Sequence, residues 1–331
     1  VDLELLTRLT ETFGPSGFED EIREVIREAV APLADELWVD PLGSLVVRRE
    51  GTGAGQKVVL AAHMDEIGVM VTHIDKEGFL RFTRVGYIHP YTSIGARVRF
   101  ANGTLGVVYL ERQEDASKPP TLDELYIDVG ATQKEEVPVK VGDPAVFVRP
   151  LLHQRERIVS KTLDDRVGCY ILIELLRRLE ESPHDLYFVF SVQEEITLSG
   201  ARTSAYKIEP DLAIAVDVTG TGDTPKAVPM AVEMGKGPAI KVKDAGMIAH
   251  PRVRKMLVEA AQRAGVPYQL EILRGGTTDA AVMQLVRAGV PSGCVSVPCR
   301  FIHSPSEMVD VQDVEQTIAL LFEALSTDLP S

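Results

Sequence analysis

KVVLAAHMD, the stretch from Lys57 to Asp65, carries five consecutive apolar residues, Val58 to Ala62, and then turns abruptly polar at His63 and Asp65. A run this short and apolar reads as a strand buried on both faces, and its polar end is where such a strand leaves the core. Just upstream, LWVD and SLVVRR also have strand texture, and the first 30 or so residues have helical spacing instead. There Leu3, Leu6 and Leu9, and then Ile22, Val25, Ile26 and Ala29, line one side of each of two segments broken by Gly14-Pro15-Ser16-Gly17. This opening predicts an α/β sheet.

From about Gly68 to Pro150 the texture changes to short β-rich pieces such as GVMVTHI, FLRFTRV, ARVRFA and TLGVVYL, separated by Gly, Asn-Gly and Pro turns. Helix and strand then alternate again. The helix DRVGCYILIELLRRLEE precedes the strand DLYFVFSVQEE, the helix SGARTSAYKI and the strand LAIAVDVTG. After AIKVKDAG come the helix PRVRKMLVEAAQRAG, the strand YQLEIL, the helix TDAAVMQLVRAG, the strand GCVSVP and the final helix VQDVEQTIALLFEALS. The expected organisation is a discontinuous α/β domain of residues 1–67 and 151–331 interrupted by an all-β insert at 68–150.

The chain has 331 residues with 35 Lys and Arg against 49 Asp and Glu, a formal charge of -14. No general basic field is present to hold a phosphate backbone, so nucleic acid is not an expected partner. No stretch reaches the 18 or so apolar residues of a membrane span. Three cysteines, Cys169, Cys294 and Cys299, with no CxxC pair, fit a reducing compartment, and the charged N-terminal stretch reads as an amphipathic helix. The cytoplasm is the expected location.

In open α/β sheets ligands gather beyond the carboxyl ends of the strands. There the sequence places His63-Met64-Asp65, Glu194-Glu195, Asp217 and His303, with Asp164-Asp165 at the start of a helix. Singly, each is ordinary, since a carboxylate at such a place is usually a cap and a lone loop histidine a surface residue. Together, two histidines and several carboxylates at one sheet edge need a compensating cation. Imidazole with carboxylate suits zinc, cobalt or manganese, and this many donors exceeds what a single catalytic metal with an open position uses. Two divalent metals are expected. Of the adjacent pair Glu194 and Glu195, one can coordinate while the other serves as a base toward water, the chemistry of amide hydrolysis.

These motifs, His63-Met64-Asp65, Leu163-Asp164-Asp165-Arg166, Gln193-Glu194-Glu195, Val216-Asp217 and Ile302-His303-Ser304-Pro305, occur in the order and context of a known family. The chain resembles the cobalt- or zinc-dependent tetrahedral, glutamyl and deblocking aminopeptidases, some of which have been labelled endoglucanases. The resemblance spans nearly the whole chain, including the β insert and the Gly275-Gly276-Thr277 to Asp279 segment. It implies a zinc-peptidase or phosphorylase-like fold, a mixed sheet sandwiched by helices with an inserted barrel-like β domain.

It also implies a first metal on His63, Asp164 and Asp217 and a second on Asp164, Glu195 and His303, with Asp164 as the bridge. Glu194 would be the general base toward a water bridged by the two metals, and Asp65 would fix the tautomer of His63. A cis Asp164-Asp165 bond is implied too. The β insert would rim the site and build dimers into a tetrahedral dodecamer that admits short peptides.

The Gly275 to Asp279 turn can equally be a helix N-cap and is not placed among the catalytic residues. His250 reads as a helix-start residue, and His73, His89, His153 and His184 as surface or core residues. The alternatives are a deacylase or acylaminoacyl-peptide hydrolase on the same scaffold, and a non-catalytic assembly protein with structural metals. Glycan hydrolysis fits poorly, because aromatics are only 6% and Trp38 is the single tryptophan to line a sugar cleft.

Overall fold

A computed structural model describes residues 1–53, 55–113, 115 and 117–327. The Lys57–His63 strand lies near the middle of an 11-stranded mixed sheet. Strands Asp185–Ser191, Lys57–His63, Leu212–Thr219 and Ser292–Arg300 are neighbours in that order and mutually parallel. Antiparallel strands continue the sheet outward, Leu45–Arg49 and Glu36–Val39 on one side and Glu307–Asp310 and Arg157–Ser160 on the other. Ala239–Lys243 pairs with Ser292–Arg300 and carries the parallel strand Gln269–Ile272 at its other edge.

Both faces of the parallel strands are covered, as their unbroken apolar runs require. Val58, Leu60 and Ala62 join the larger core beneath helices Leu3–Glu11, Asp20–Val30, Leu163–Arg178, Pro251–Arg263 and Val311–Ser326. Val59 and Ala61 point the other way, into a smaller core with Ala201, Ala205 and Met283 from helices Ser199–Ile208 and Ala280–Met283. Two-residue alternation therefore assigns His63 to the face of Val59 and Ala61, and Asp217 to the face of Ala213 and Ala215. The helix ends are capped locally. Asp2 accepts the Leu5 amide at 3.1 Å, and Asp310 accepts that of Gln312 at 2.7 Å.

Six strands between Gly68 and Phe147 close into a barrel in the order Gly68–Ile74, Leu80–Val85, Leu125–Asp128, Leu105–Leu110, Arg97–Phe100, Pro144–Phe147. Its core holds Val69, Val71, Leu80, Val98, Phe100, Val108, Ile127 and Phe147. Three short helical turns, Pro90–Ser93, Leu122–Glu124 and Lys134–Glu136, interrupt the β texture read from the sequence, with His89 capping the first through Nδ1. The helix expected over TDAAVMQLVRAG is one turn, Ala280–Met283; Gly289, at φ +101, turns the chain so that the Val290 amide donates back to the Gln284 carbonyl. Among the described residues, no helix is long and apolar enough to cross a membrane.

Candidate metal centre

The parallel ladder sets the first part of the site. Ser191 is level with His63, and Ala215 is level with Ala61. Asp217 and His63 each follow two residues beyond that last pair, on the same face of the sheet. The chain after each of the flanking strands then supplies more donors: Glu194 and Glu195 open a helical turn behind Gln193, which has φ +57, and His303, at φ +60, follows the Ser292–Arg300 strand.

Asp164 enters from a third direction. It and Asp165 have non-helical backbone angles at the head of the Leu163–Arg178 helix, and the bond between them is cis. The Asp164 carboxylate faces both histidines, with Oδ1 3.1 Å from His63 Nε2 and Oδ2 3.2 Å from His303 Nε2. Glu195 Oε2 lies 3.3 Å from His303 Nε2, and Glu194 Oε2 lies 3.9 Å from His63 Nε2. Ligand atoms of His63, Asp164 and Asp217 all lie within 4.8 Å of one another, as do those of Asp164, Glu195 and His303. Every residue named as a ligand from the sequence thus falls into one of two triads sharing Asp164.

Asp65 is fully buried, but its nearest atom to His63 Nδ1 is its own backbone carbonyl, at 3.1 Å; the carboxylate is 3.6 Å away. That carboxylate instead accepts the amides of Glu194 and Glu195 and the hydroxyl of Ser16, at 3.0, 3.2 and 2.6 Å. It holds the turn that presents the two glutamates.

Three further residues organise the site: Glu307, not singled out from the sequence, and Asp165 and Asp279, named there only within the Asp164-Asp165 pair and the Gly275 to Asp279 turn. Glu307, 1% exposed, accepts the Asp164 amide at 2.8 Å and the His303 amide at 2.9 Å. Asp165 accepts the His63 amide at 3.2 Å and the Gly168 amide at 3.1 Å. Asp279 makes no side-chain cap at its helix; it accepts the Ser191 hydroxyl at 2.5 Å and faces Glu194. The signal for Glu307 was slight, an acid four residues beyond His303.

The electrostatics are those of a proton-loaded cation site. Burial together with the neighbouring Asp164 pushes the Asp217 carboxyl up to about 8. Glu194 is also raised, by burial and by Asp217 and Asp279, and Glu195 by burial and Asp164. Burial opposes charging of His303, yet hydrogen bonds to Asp164 and Glu195 carry it up to about 11. The carboxylates that raise the proton affinity of both imidazoles would equally draw divalent cations to these donors. Glu195 Oε1 is buried with no hydrogen-bond partner, which leaves its lone pairs available to a cation. Nitrogen and oxygen donors in two triads with a shared carboxylate fit a pair of divalent cations.

The triads open on a cavity of about 570 Å³ walled by Tyr87, Ile196, Leu198, Val218, Leu273 and Thr278 among others. Tyr87 follows the Leu80–Val85 barrel strand, and its ring centroid is 5.8 Å from that of His303. The other histidines lie elsewhere: His250 caps its helix by accepting the Arg252 amide, His184 contacts the amide of Gln56 and the carbonyl of Thr327, and His73 and His153 are exposed. All three cysteines are buried and free.

Comparison with known proteins agrees with this geometry. The chain is 48% identical over 324 residues to a putative aminopeptidase of Acetivibrio thermocellus, covering 97% of this chain and 98% of that one. It is 38% identical over 338 residues to a lysyl aminopeptidase of Pyrococcus furiosus, covering 97% and 95%. Among solved structures, a Pyrococcus horikoshii TET1 peptidase described as assembling into a tetrahedron or a large octahedral shell superposes with a TM-score of 0.88 at 33% identity, covering 99% of both chains. The model of the M42 glutamyl aminopeptidases matches residues 43–320, and the chain belongs to that family of peptide hydrolases.

Proposed function

We propose that the protein is an aminopeptidase that removes N-terminal residues from short peptides, using two divalent cations, zinc or cobalt, per chain. The observation that carries this reading is the Asp164 carboxylate, whose two oxygens each face a different histidine at 3.1 and 3.2 Å. His63, Asp164 and Asp217 would hold one cation and Asp164, Glu195 and His303 the other. When bound, such a pair polarises the scissile carbonyl and lowers the pKa of water toward neutrality.

The residues of the chain do the rest. Glu194 sits in the cavity wall beside His63 but in neither triad, which leaves its carboxylate free to take a proton from the attacking water and return it to the leaving amine. Its raised proton affinity suits a base that must also act as an acid. Asp65 fixes the backbone of that glutamate. The carboxylates at the cavity floor also offer a counter-charge to the free α-amino group of a peptide.

Residues 1–67 and 151–331 are proposed as the catalytic unit and residues 68–150 as the insert that rims the site and forms dimers, which assemble into a tetrahedral dodecamer. Tyr87 beside His303 supports the rim, and Leu105, Val107 and Tyr109, exposed along one face of a barrel strand, support the contact surface. The free buried thiols fit the cytoplasm.

Replacing Glu194 by Gln tests the mechanism. Metal content should persist while turnover of an aminoacyl p-nitroanilide falls on the order of 10²-fold or more. Unchanged turnover would remove Glu194 from the reaction, and preferential cleavage of N-acylated peptides over free ones would point to a deacylase.

A further inference from the structure

Arg97 and Arg99 stand on either side of Val98 in the Arg97–Phe100 strand, and Val98 points into the barrel core, so both guanidiniums leave the outer face of the barrel. That strand pairs with Pro144–Phe147, whose chain runs on to Arg149, and the Val148 amide donates to the Arg97 carbonyl at 2.9 Å. Residues from outside the barrel meet this face, and two adjoining cavities of about 200 and 190 Å³ lie in the joint, sharing Val148 and Arg149 in their walls. Arg99, Lys161 and Glu11 line the first, and Arg97 and Pro305 the second.

The charges in this groove do not cancel. Lys161 is buried and already countered, its Nζ donating to Glu66 Oε2 at 2.5 Å and to the Thr162 hydroxyl at 3.1 Å. Glu66 serves a second cation too, since Arg166 lies 3.6 Å from its other oxygen. The two acids beyond Arg166 are committed, Asp65 to Ser16 and the Glu194 and Glu195 amides, and Glu19 to the Gly17 and Gln193 amides. Glu11, the single acid in the groove walls, accepts the Leu151 amide at 2.9 Å. Among the described residues Arg97, Arg99 and Arg149 form no ion pair and donate no side-chain hydrogen bond, and the Arg99 guanidinium is held over the Phe13 ring, 5.5 Å from its centroid.

With Lys161 set against Glu66, three guanidiniums face one carboxylate, an excess of two positive charges in a chain whose formal charge is -14. Burial, and then the like charges of Arg166 and Arg99, hold Lys161 below its usual proton affinity although Glu66 opposes them. A cleft concentrates the field of the charges in its walls, and guanidinium forks match the oxygens of a phosphate group.

We propose that this groove is a binding site for a phosphate group, as inorganic phosphate or the dianionic end of a small phosphate monoester, held by Arg149 with Arg99 on one side and Arg97 on the other. The charge of such a group, close to -2 at neutral pH, matches the excess. The site is separate from the two triads and does not depend on the aminopeptidase reading.

Calorimetric titration of the metal-loaded protein with inorganic phosphate and with glycerol phosphate, at an ionic strength matched with chloride, tests this. Tighter binding of the ester identifies a phosphorylated small molecule as the occupant, and tighter binding of phosphate the free anion. The double variant Arg99→Met, Arg149→Met keeps an apolar stem against Phe13 and should weaken binding ~10-fold or more. Glu11→Gln keeps an oxygen for the Leu151 amide while removing the opposing charge, and should tighten binding ~3-fold. Phosphate bound on the cations of the triads would respond to neither change. Affinity unmoved by the double variant, or by Glu11→Gln should the double variant not fold, overturns the proposal, as does a wild-type protein that binds neither anion beyond the chloride control. Each of these results leaves the aminopeptidase reading as it stands.

Discussion

The backbone amide of Glu194 donates to Oδ1 of Asp65 at 3.0 Å, so the residue that follows the His63 strand fixes the residue proposed as the base. The neighbouring amide of Glu195 goes to the other oxygen of the same carboxylate at 3.2 Å. Asp65 thus ties two sheet strands together at their polar ends.

Replacing Asp65 by Asn puts an NH2 group against one of these donors or against Ser16. The glutamate turn should loosen while the ligand atoms of His63, Asp164 and His303 stay in place. kcat should fall about 10- to 100-fold, with smaller changes in metal content, as for other groups that orient a metal site from behind. Steady-state kinetics alongside metal analysis checks this; a loss of metal with kcat per bound metal unchanged would show that Asp65 serves only the ligands.

Glu307 plays the corresponding part on the opposite side of the cluster, joining Asp164 to His303 through their amides. Glu307→Gln turns one of the two contacts into donor against donor, at a cost of about 1–3 kcal/mol for the unsatisfied buried group. Metal affinity should drop about 10- to 100-fold. Competition with a graded chelator measures it, and an affinity equal to wild type would deny Glu307 this role.

Metal uptake should depend on pH. In the metal-free protein Asp217 is pushed up to about 8 and His303 up to about 11, so loading must displace protons and affinity should rise with pH between 6 and 8. Titration of the apoprotein with zinc in weak buffer should release protons, and a pH-independent affinity would contradict the picture. Linkage gives a second sign. A group that binds its proton more tightly when folded stabilises the fold most at low pH. The metal-free protein should therefore lose Asp217's contribution as pH rises from about 4 to about 8, with the His303 contribution persisting to higher pH. Thermal melts of apoprotein across that range read it.

Gly168 packs against the carboxylate of Asp165, and a Cβ there would fall well inside 3.0 Å of both its oxygens. Gly168→Ala should push Asp165 off the His63 amide and destabilise the protein by about 1–3 kcal/mol. A melting temperature equal to wild type would show that the helix start can shift freely.

The parallel strands, with His63 and Asp217 at their ends, were legible because each of those donors follows a short apolar run whose end periodicity announces, whereas Asp164 stands at a helix start and the grouping of the donors into two triads came from the family resemblance. The Val58–Ala62 run and Leu212–Val216 carry their ligands within two residues. Glu307 and Asp279 were not legible in the same way. Their partners are set by strand register and by a turn that brings Asp279 under Ser191, relationships no local window contains. Asp279 had the composition of a cap and was read as one alternative; the hydroxyl of Ser191, 88 residues away, decided otherwise. The Asp65 carboxylate, expected to serve the His63 imidazole, lies 3.6 Å from Nδ1 and takes the amides of a distant turn, which no local window shows.

His63 and Asp217 each lie two residues beyond the Ala61–Ala215 pair of adjacent parallel strands, so their spacing is governed by the sheet, whose lateral repeat is about 4.8 Å, rather than by any loop. A gauge cut into the backbone ladder does not drift when the surrounding segments lengthen, shorten or change composition. Substitutions in the loops around the cavity should therefore leave the spacing of these two donors unchanged.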